Sequence, residues 1–410
     1  MRLRPDLLDR NSPEQIAVVQ LTADPDMPAC HVYMEAQIFT PDSKRFVLHR
    51  GRGRDDPSHQ YLLCDLEDGC SLHPITEELG STAPSVSPDG RYLYYLVDRT
   101  ELGGGQLSLK RVKMDGSERE TLLVLDRGIP GTSYFPNRIY PLSTISSDGQ
   151  RLAASAFLGD GHTEDAPYGL LIFDLTNPGV QLIMEGPSWI NAHPQYCRSR
   201  DAEEAHDILI QENHGNTHDV RGRMTKIFDP ELGGDIHVIR DDGTNLRDLP
   251  WGRDGLEFRQ GHQCWRGRSA WAITSTYGVD GRRLIESLPV PHAGHIGLRS
   301  PGGIRNDLSR NFPEPSFCHF ACDAQGQYLI SDAYGGEHVP TDGGRVFLAR
   351  LGEPGRDAAV AWTYLLNPRS SWRADAHVHP FLSPDATMGF FNSDECGTLQ
   401  AYMVTGLGDL

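Results

Sequence analysis

The stretch Ser87-Pro88-Asp89-Gly90-Arg91-Tyr92-Leu93-Tyr94 places a Ser/Pro/Asp/Gly turn directly before a β-prone apolar run. That combination is a hairpin signal, because each turn residue favours backbone angles that a strand interior does not. It recurs along the chain. Thr40-Pro41-Asp42-Ser43 precedes Arg45-Phe46-Val47-Leu48, Ser146-Ser147-Asp148-Gly149 precedes Arg151-Leu152-Ala153-Ala154, and Ser383-Pro384-Asp385-Ala386 precedes Met388-Gly389-Phe390-Phe391. Looser copies stand at Cys197-Arg198-Ser199-Arg200, Arg266-Gly267-Arg268 and Asp323-Ala324-Gln325-Gly326, each followed by an apolar run.

Measured from the first residue of each turn, the seven signals are spaced by 47, 59, 51, 69, 57 and 60 residues. A period of that size, with short strands and no long amphipathic helix, predicts an all-β, seven-bladed β-propeller in which residues 1–410 form a single domain. The competing arrangement is an array of two-sheet sandwiches.

Four residues before each turn stand Ala36, Ala83, Leu142, His193, His262, His319 and His379. The first three are small or apolar; the last four are histidines. If this strand is the innermost of each blade, four consecutive blades direct imidazoles toward one side of the channel mouth. His377 joins them, since residues two apart on a strand share a face. A scaffold repeat does not require such a register, as the first three copies show.

Composition narrows the function classes. The formal charge of −18 argues against nucleic acid and against an anionic membrane surface as partners. Mean hydropathy is −0.44, no apolar run reaches the length that spans a bilayer, and no apolar segment follows the basic start, so a cytoplasmic protein is expected. Eight scattered cysteines read as buried thiols. Cys318-His319-x-x-Cys322 suggests zinc, but on a regular strand Cys318 and His319 face opposite ways and no second cysteine pair completes a structural set. An acidic small substrate needs local cations here, and a divalent ion held by neutral imidazoles supplies them while leaving positions open for substrate oxygen.

The seven turns, the segment Gly261-His262-Gln263-Cys264-Trp265, the start Cys318-His319-Phe320 and the block His377-Val378-His379-Pro380 before Ser383-Pro384-Asp385 resemble the oligogalacturonate lyases, a family of polysaccharide lyases. The resemblance implies a cytoplasmic enzyme of pectin breakdown that cleaves short acidic oligosaccharides by β-elimination. It also implies a divalent ion, manganese first, with calcium and zinc as alternatives. Carried over by position, His319, His377 and His379 are the metal ligands and His262 is the base. That family's glutamine ligand corresponds to Ala374 here, leaving Asp375, Gln195 or water as substitutes. Its catalytic arginine falls within the insertion His214–Arg223, where Arg221 and Arg223 are the candidates.

Trp189, His193 and Tyr196 are read as one wall of the sugar site, with packing as the alternative. Arg50-Gly51-Arg52-Gly53-Arg54 reads as a solvated loop or, alternatively, a substrate contact. His292 and His295, separated by Ala293-Gly294, read as a loop without a metal role. The contrasting function class is a non-enzymatic binding or scaffold propeller of the TolB type, or, within the lyases, an enzyme for a different uronate linkage.

Overall fold

The computed structural model describes residues 1–410 except 53–55, 57–58, 250–256, 279–282, 291–305, 314–316, 334–342, 355–359 and 374–375. His292, His295, Ala374 and Asp375 lie outside the described residues.

Each strong turn signal closes a hairpin by the same local chemistry. The Ser87 hydroxyl accepts from the Tyr92 amide at 3.0 Å, and Asp89 accepts from the Arg91 amide at 3.0 Å. Ser146 and Asp148 serve Arg151 and Gln150 in the same way, and Ser383 and Asp385 serve Met388 and Thr387. The fourth turn residue is left-handed in every case: Gly90 at φ 70°, Gly149 at 74°, Ser43 at 60° and Ala386 at 58°. Glycine adopts that conformation without the Cβ penalty that Ser43 and Ala386 carry.

These hairpins build five four-stranded antiparallel sheets whose strands follow chain order. The second begins with Asn137–Ile145, the third with Gln195–Tyr196, the fourth with Glu257–Trp265 and the fifth with Phe317–Cys322; the first begins with Ser81–Val86. A nine-stranded sheet holds the two ends of the chain. Within it, Ala29–His31 leads one antiparallel group and Phe381–Leu382 another, joined only by the parallel pair Ala29↔Gln400. Several first strands of neighbouring sheets touch one another, as do Ser81–Val86 and Asn137–Ile145, or Glu257–Trp265 and Phe317–Cys322, and apolar layers such as Ile145, Leu152, Leu171 and Phe173 fill the wedges between sheets. This is β-propeller architecture. Among the described residues no α-helix occurs, and no helix is long and apolar enough to cross a membrane.

The chain's start closes the ring. Ala17–Gln20 pairs antiparallel with Gln400–Thr405, from Ala17↔Thr405 to Gln20↔Tyr402. Arg4 secures the same seam through an ion pair to Glu395, and Asp6, at 2.7 Å on its own segment, holds the guanidinium in place.

On the inner strands the four-residue register carries a bulge. Ala83, His193, His262 and His379 are all left-handed, with φ of 52°, 46°, 41° and 45°. Strand pairing slips at Thr82/Ser85 and Gly261/Gln263, the positions flanking Ala83 and His262. A bulge re-aims one side chain out of the strand's alternation. At His193, His262 and His379 it turns the side chain into the channel, whereas Ala83 stays in the apolar core, and a β-carbon held in this conformation costs roughly 1–2 kcal/mol that the surrounding sheet supports.

Candidate metal centre

At one mouth of the channel lies a cavity of about 1680 Å³. His193, His262, His319, His377 and His379 all line it, so the sequence register is matched in space. The ligand nitrogens of His319, His377 and His379 lie within 4.8 Å of one another. The His319 ring stands 4.3 Å from that of His379, 5.4 Å from that of His377 and 4.7 Å from that of His262, centroid to centroid.

His319 is held on both sides by Asp332 of the neighbouring strand. Its amide donates to Oδ1 at 2.7 Å and its Nδ1–H to Oδ2 at 2.8 Å. That carboxylate fixes the tautomer and turns Nε2 toward the cluster, an arrangement typical of metal-binding imidazoles. Burial opposes charge on His319, but Cys318 and Asp332 outweigh it and raise the pKa to about 10. A proton and a metal ion therefore compete for Nε2. Burial, and then the adjacent His319 and His377, push His379 well below its ordinary value and keep it in the neutral, ligating form. The donor set fits a divalent ion.

Residues outside the sequence reading frame this cluster. Trp372 lies parallel to His319 at 6.0 Å and tilted to His377 at 5.7 Å. Tyr33 bridges His379 at 4.6 Å and His193 at 5.0 Å. His193 donates through Nδ1 to Glu35 at 2.9 Å, and its Nε2 meets the Tyr140 hydroxyl at 3.0 Å. Asp332 carried one usable signal: an aspartate inside the apolar strand Tyr328–Ala333 needs a buried partner.

The cavity gathers six arginines, Arg52, Arg99, Arg138, Arg221, Arg223 and Arg373. Asp26, Asp56, Asp98, Glu101 and Asp394 share that lining, so the arginines offer an acidic ligand discrete contacts within a wall of mixed charge. Arg221 and Arg223 come from the insertion, which forms a ribbon of Thr217–His218 and Met224–Lys226. Asp219 orders its turn by accepting from both arginine amides at 2.9 Å, and also from Arg223 Nε at 2.8 Å. The Tyr168 hydroxyl donates to Gly222 O at 2.7 Å and docks the ribbon on the adjacent sheet. Arg52 of the basic loop lines the cavity, while Gly53 and Arg54 lie outside the described residues.

Three expectations fail. Trp189 and Tyr196 do not line the cavity: both are buried in the apolar layer with Phe157, Ile208 and Ile210, and the Tyr196 hydroxyl donates to Asp241 at 3.0 Å. Gln195 donates to Gln263 O at 2.8 Å and lines a separate small cavity, so it cannot replace the missing ligand. Cys318 and His319 do not diverge. Strand pairing slips between Phe317 and Phe320, and both side chains reach the large cavity, with Cys318 Sγ 3.6 Å from His319 Nε2. The cysteines stand as thiols rather than disulfides, but burial is uneven, and Cys396 is exposed.

The chain matches no protein-family model and no curated protein sequence. Its structure superimposes on an oligogalacturonate lyase in complex with manganese with a TM-score of 0.68, at 19% identity over 95% of this chain and 93% of that one. An oligogalacturonate lyase from Vibrio parahaemolyticus also gives 0.68, at 17% identity over 96% and 95%. The fold is that of the oligogalacturonate lyases. A prolyl endopeptidase reaches 0.51 at 10% identity, over 92% of this chain but 50% of its own. The ring thus serves other chemistry elsewhere, and function has to be argued from the cavity.

Proposed function

We propose that the chain is a metal-dependent lyase that cleaves short uronate-containing oligosaccharides of the oligogalacturonide type by β-elimination. One observation carries the reading: an Asp332-oriented imidazole cluster opens into a cavity lined by arginines in an acidic protein. We read the nine-stranded sheet as two blades joined at the closing seam, which makes a seven-bladed propeller and one domain. Eight cysteines standing as thiols support a reducing compartment, the cytoplasm.

His319, His377 and His379 would hold the ion, for which manganese is the first choice. When bound, it supplies a Lewis acid that draws charge from the uronate carboxylate. Elimination removes the C5 proton, forms the C4=C5 bond and breaks C4–O4; the leaving oxygen then takes a proton from solvent. The C5 proton is acidified only by the adjacent carboxylate, so carboxylate charge has to be offset where it grows. Arg221 or Arg223 does this from the rim, and His193 and Tyr33 form the sugar-facing wall that the sequence assigned to Trp189 and Tyr196. His262, beside His319, accepts the proton as a neutral imidazole.

The test is incubation of manganese-loaded protein with short uronate oligosaccharides while following the near-ultraviolet absorbance of the unsaturated product. Turnover that disappears in His377→Ala and His262→Ala supports the reading. Absence of turnover on every uronate returns the chain to the binding-propeller class.

A further inference from the structure

His319 belongs to two clusters of potential ligands. One is His319, His377 and His379; the other is His262, Cys318 and His319, whose ligand atoms also lie within 4.8 Å of one another. Asp332 occupies Nδ1 of His319, so only Nε2 can face an ion, and one imidazole nitrogen holds one ion. The clusters are therefore alternative seats rather than two sites filled together.

We propose that the second seat, His262, Cys318 and His319, is a thiolate site for a soft divalent cation such as zinc or cobalt, and that filling it silences the protein by capturing its base. The silencing rests on the lyase reading above; the seat itself does not. On a tetrahedral ion a sulfur at about 2.3 Å and an imidazole nitrogen at about 2.1 Å stand roughly 3.6 Å apart. Cys318 Sγ and His319 Nε2 are 3.6 Å apart. The inner-strand bulge between Phe317 and Phe320 creates this spacing, because a regular strand would send consecutive side chains to opposite faces.

Ligand chemistry separates the seats. Three imidazoles accept zinc and cobalt as well as manganese, whereas a thiolate discriminates strongly against manganese, so manganese can fill only the first seat and the thiolate seat is left to zinc or cobalt. On binding, the thiol proton leaves to solvent and the sulfur bonds to the ion, with no change in oxidation state. His262 then spends on the metal the lone pair that would take the C5 proton. Partial exposure of Cys318 and His262 at the cavity wall gives an ion access to this seat.

The experiment titrates cobalt(II) into metal-stripped wild type, His377→Ala, Cys318→Ser and Cys318→Ala, following the near-ultraviolet sulfur-to-cobalt charge-transfer band. Circular dichroism checks that each variant folds. The band is expected in wild type and in His377→Ala and is expected to vanish in both Cys318 variants. No band in wild type, or a band that persists without Cys318, overturns the seat. Loss of the band in His377→Ala also overturns it, since the sulfur would then belong to the three-imidazole ion. With manganese-loaded enzyme, zinc should inhibit turnover, and Cys318→Ser should weaken that inhibition by at least about tenfold. Undiminished zinc inhibition in Cys318→Ser overturns the silencing, while failure of all turnover refutes the lyase reading and leaves the spectra to decide the seat.

Discussion

His31 and His319 are equally hidden, each 3% exposed, yet they behave in opposite ways. His31 sits among the rings of Phe46, Phe381 and Phe390, and its Nε2–H donates to Tyr402 O at 2.9 Å. Among the described residues no carboxylate is paired with it, and burial pushes its pKa down to about 3. His319 has Asp332 against one ring edge and the cavity cluster against the other. The difference teaches that burial does not assign a histidine its role; the group on the second ring nitrogen does.

The largest effect expected from this contrast is catalytic. His262→Ala should lower turnover by about 10²–10⁴-fold while His31→Phe leaves a folded, active enzyme, measured by initial rates of near-ultraviolet product formation. Comparable losses in the two variants would break the distinction.

The next is acid stability. Burial holds the pKa values of His31 and His49 down to about 3, so between pH 6.5 and 3 the unfolded chain binds protons that the folded chain refuses. Stability contributed by the neutral rings is full above pH 6.5 and is lost as pH falls toward 3. Each tenfold difference in proton affinity between the folded and unfolded chain is worth about 1.4 kcal/mol, so the loss amounts to several kcal/mol. Urea denaturation midpoints at pH 7 and pH 4 measure it, and His31→Phe should flatten the dependence.

A smaller change is expected from Asp332→Asn, which keeps the shape but removes the charge behind His319. Manganese affinity should fall by about 10–100-fold in calorimetric titration, whereas His31→Phe should leave it unaltered. An effect of similar free energy, but on stability alone, belongs to Tyr196→Phe. Loss of the hydrogen bond to Asp241 should cost about 1.5–3 kcal/mol of stability without changing KM, because the ring packs in the core.

The turns and the histidine register were legible because both depend on local chemistry repeated along the chain. Asp42, Asp89, Asp148 and Asp385 announce their hairpins by type and position. The neighbours of the cluster were not legible in that way. Asp332, Trp372 and Tyr33 reach the histidines from a second strand, a loop and the segment that follows Ala29–His31, and nothing local couples them. Cys318 was misjudged because strict alternation breaks at a bulge, and the bulge has no signature in residue type: Ala83, His193, His262 and His379 adopt it without a glycine among them. Trp189 and Tyr196 went astray by the reverse error, since aromatic character suits an apolar wedge as well as a sugar.

The seam between Ala17–Gln20 and Gln400–Thr405 also dictates an order of assembly. Ala17 and Thr405, which face each other there, lie 388 residues apart along the chain. Every other sheet can pair soon after its strands leave the ribosome, but this one has to await residues 400–405. Bringing such distant segments together carries a loop-closure entropy of about 5 kcal/mol by chain-length scaling. Until then the first strand presents an unpaired edge, open to another chain. Ring closure is therefore the late step of folding, and Arg4, gripping Glu395 and Asp6, is the clasp that completes it.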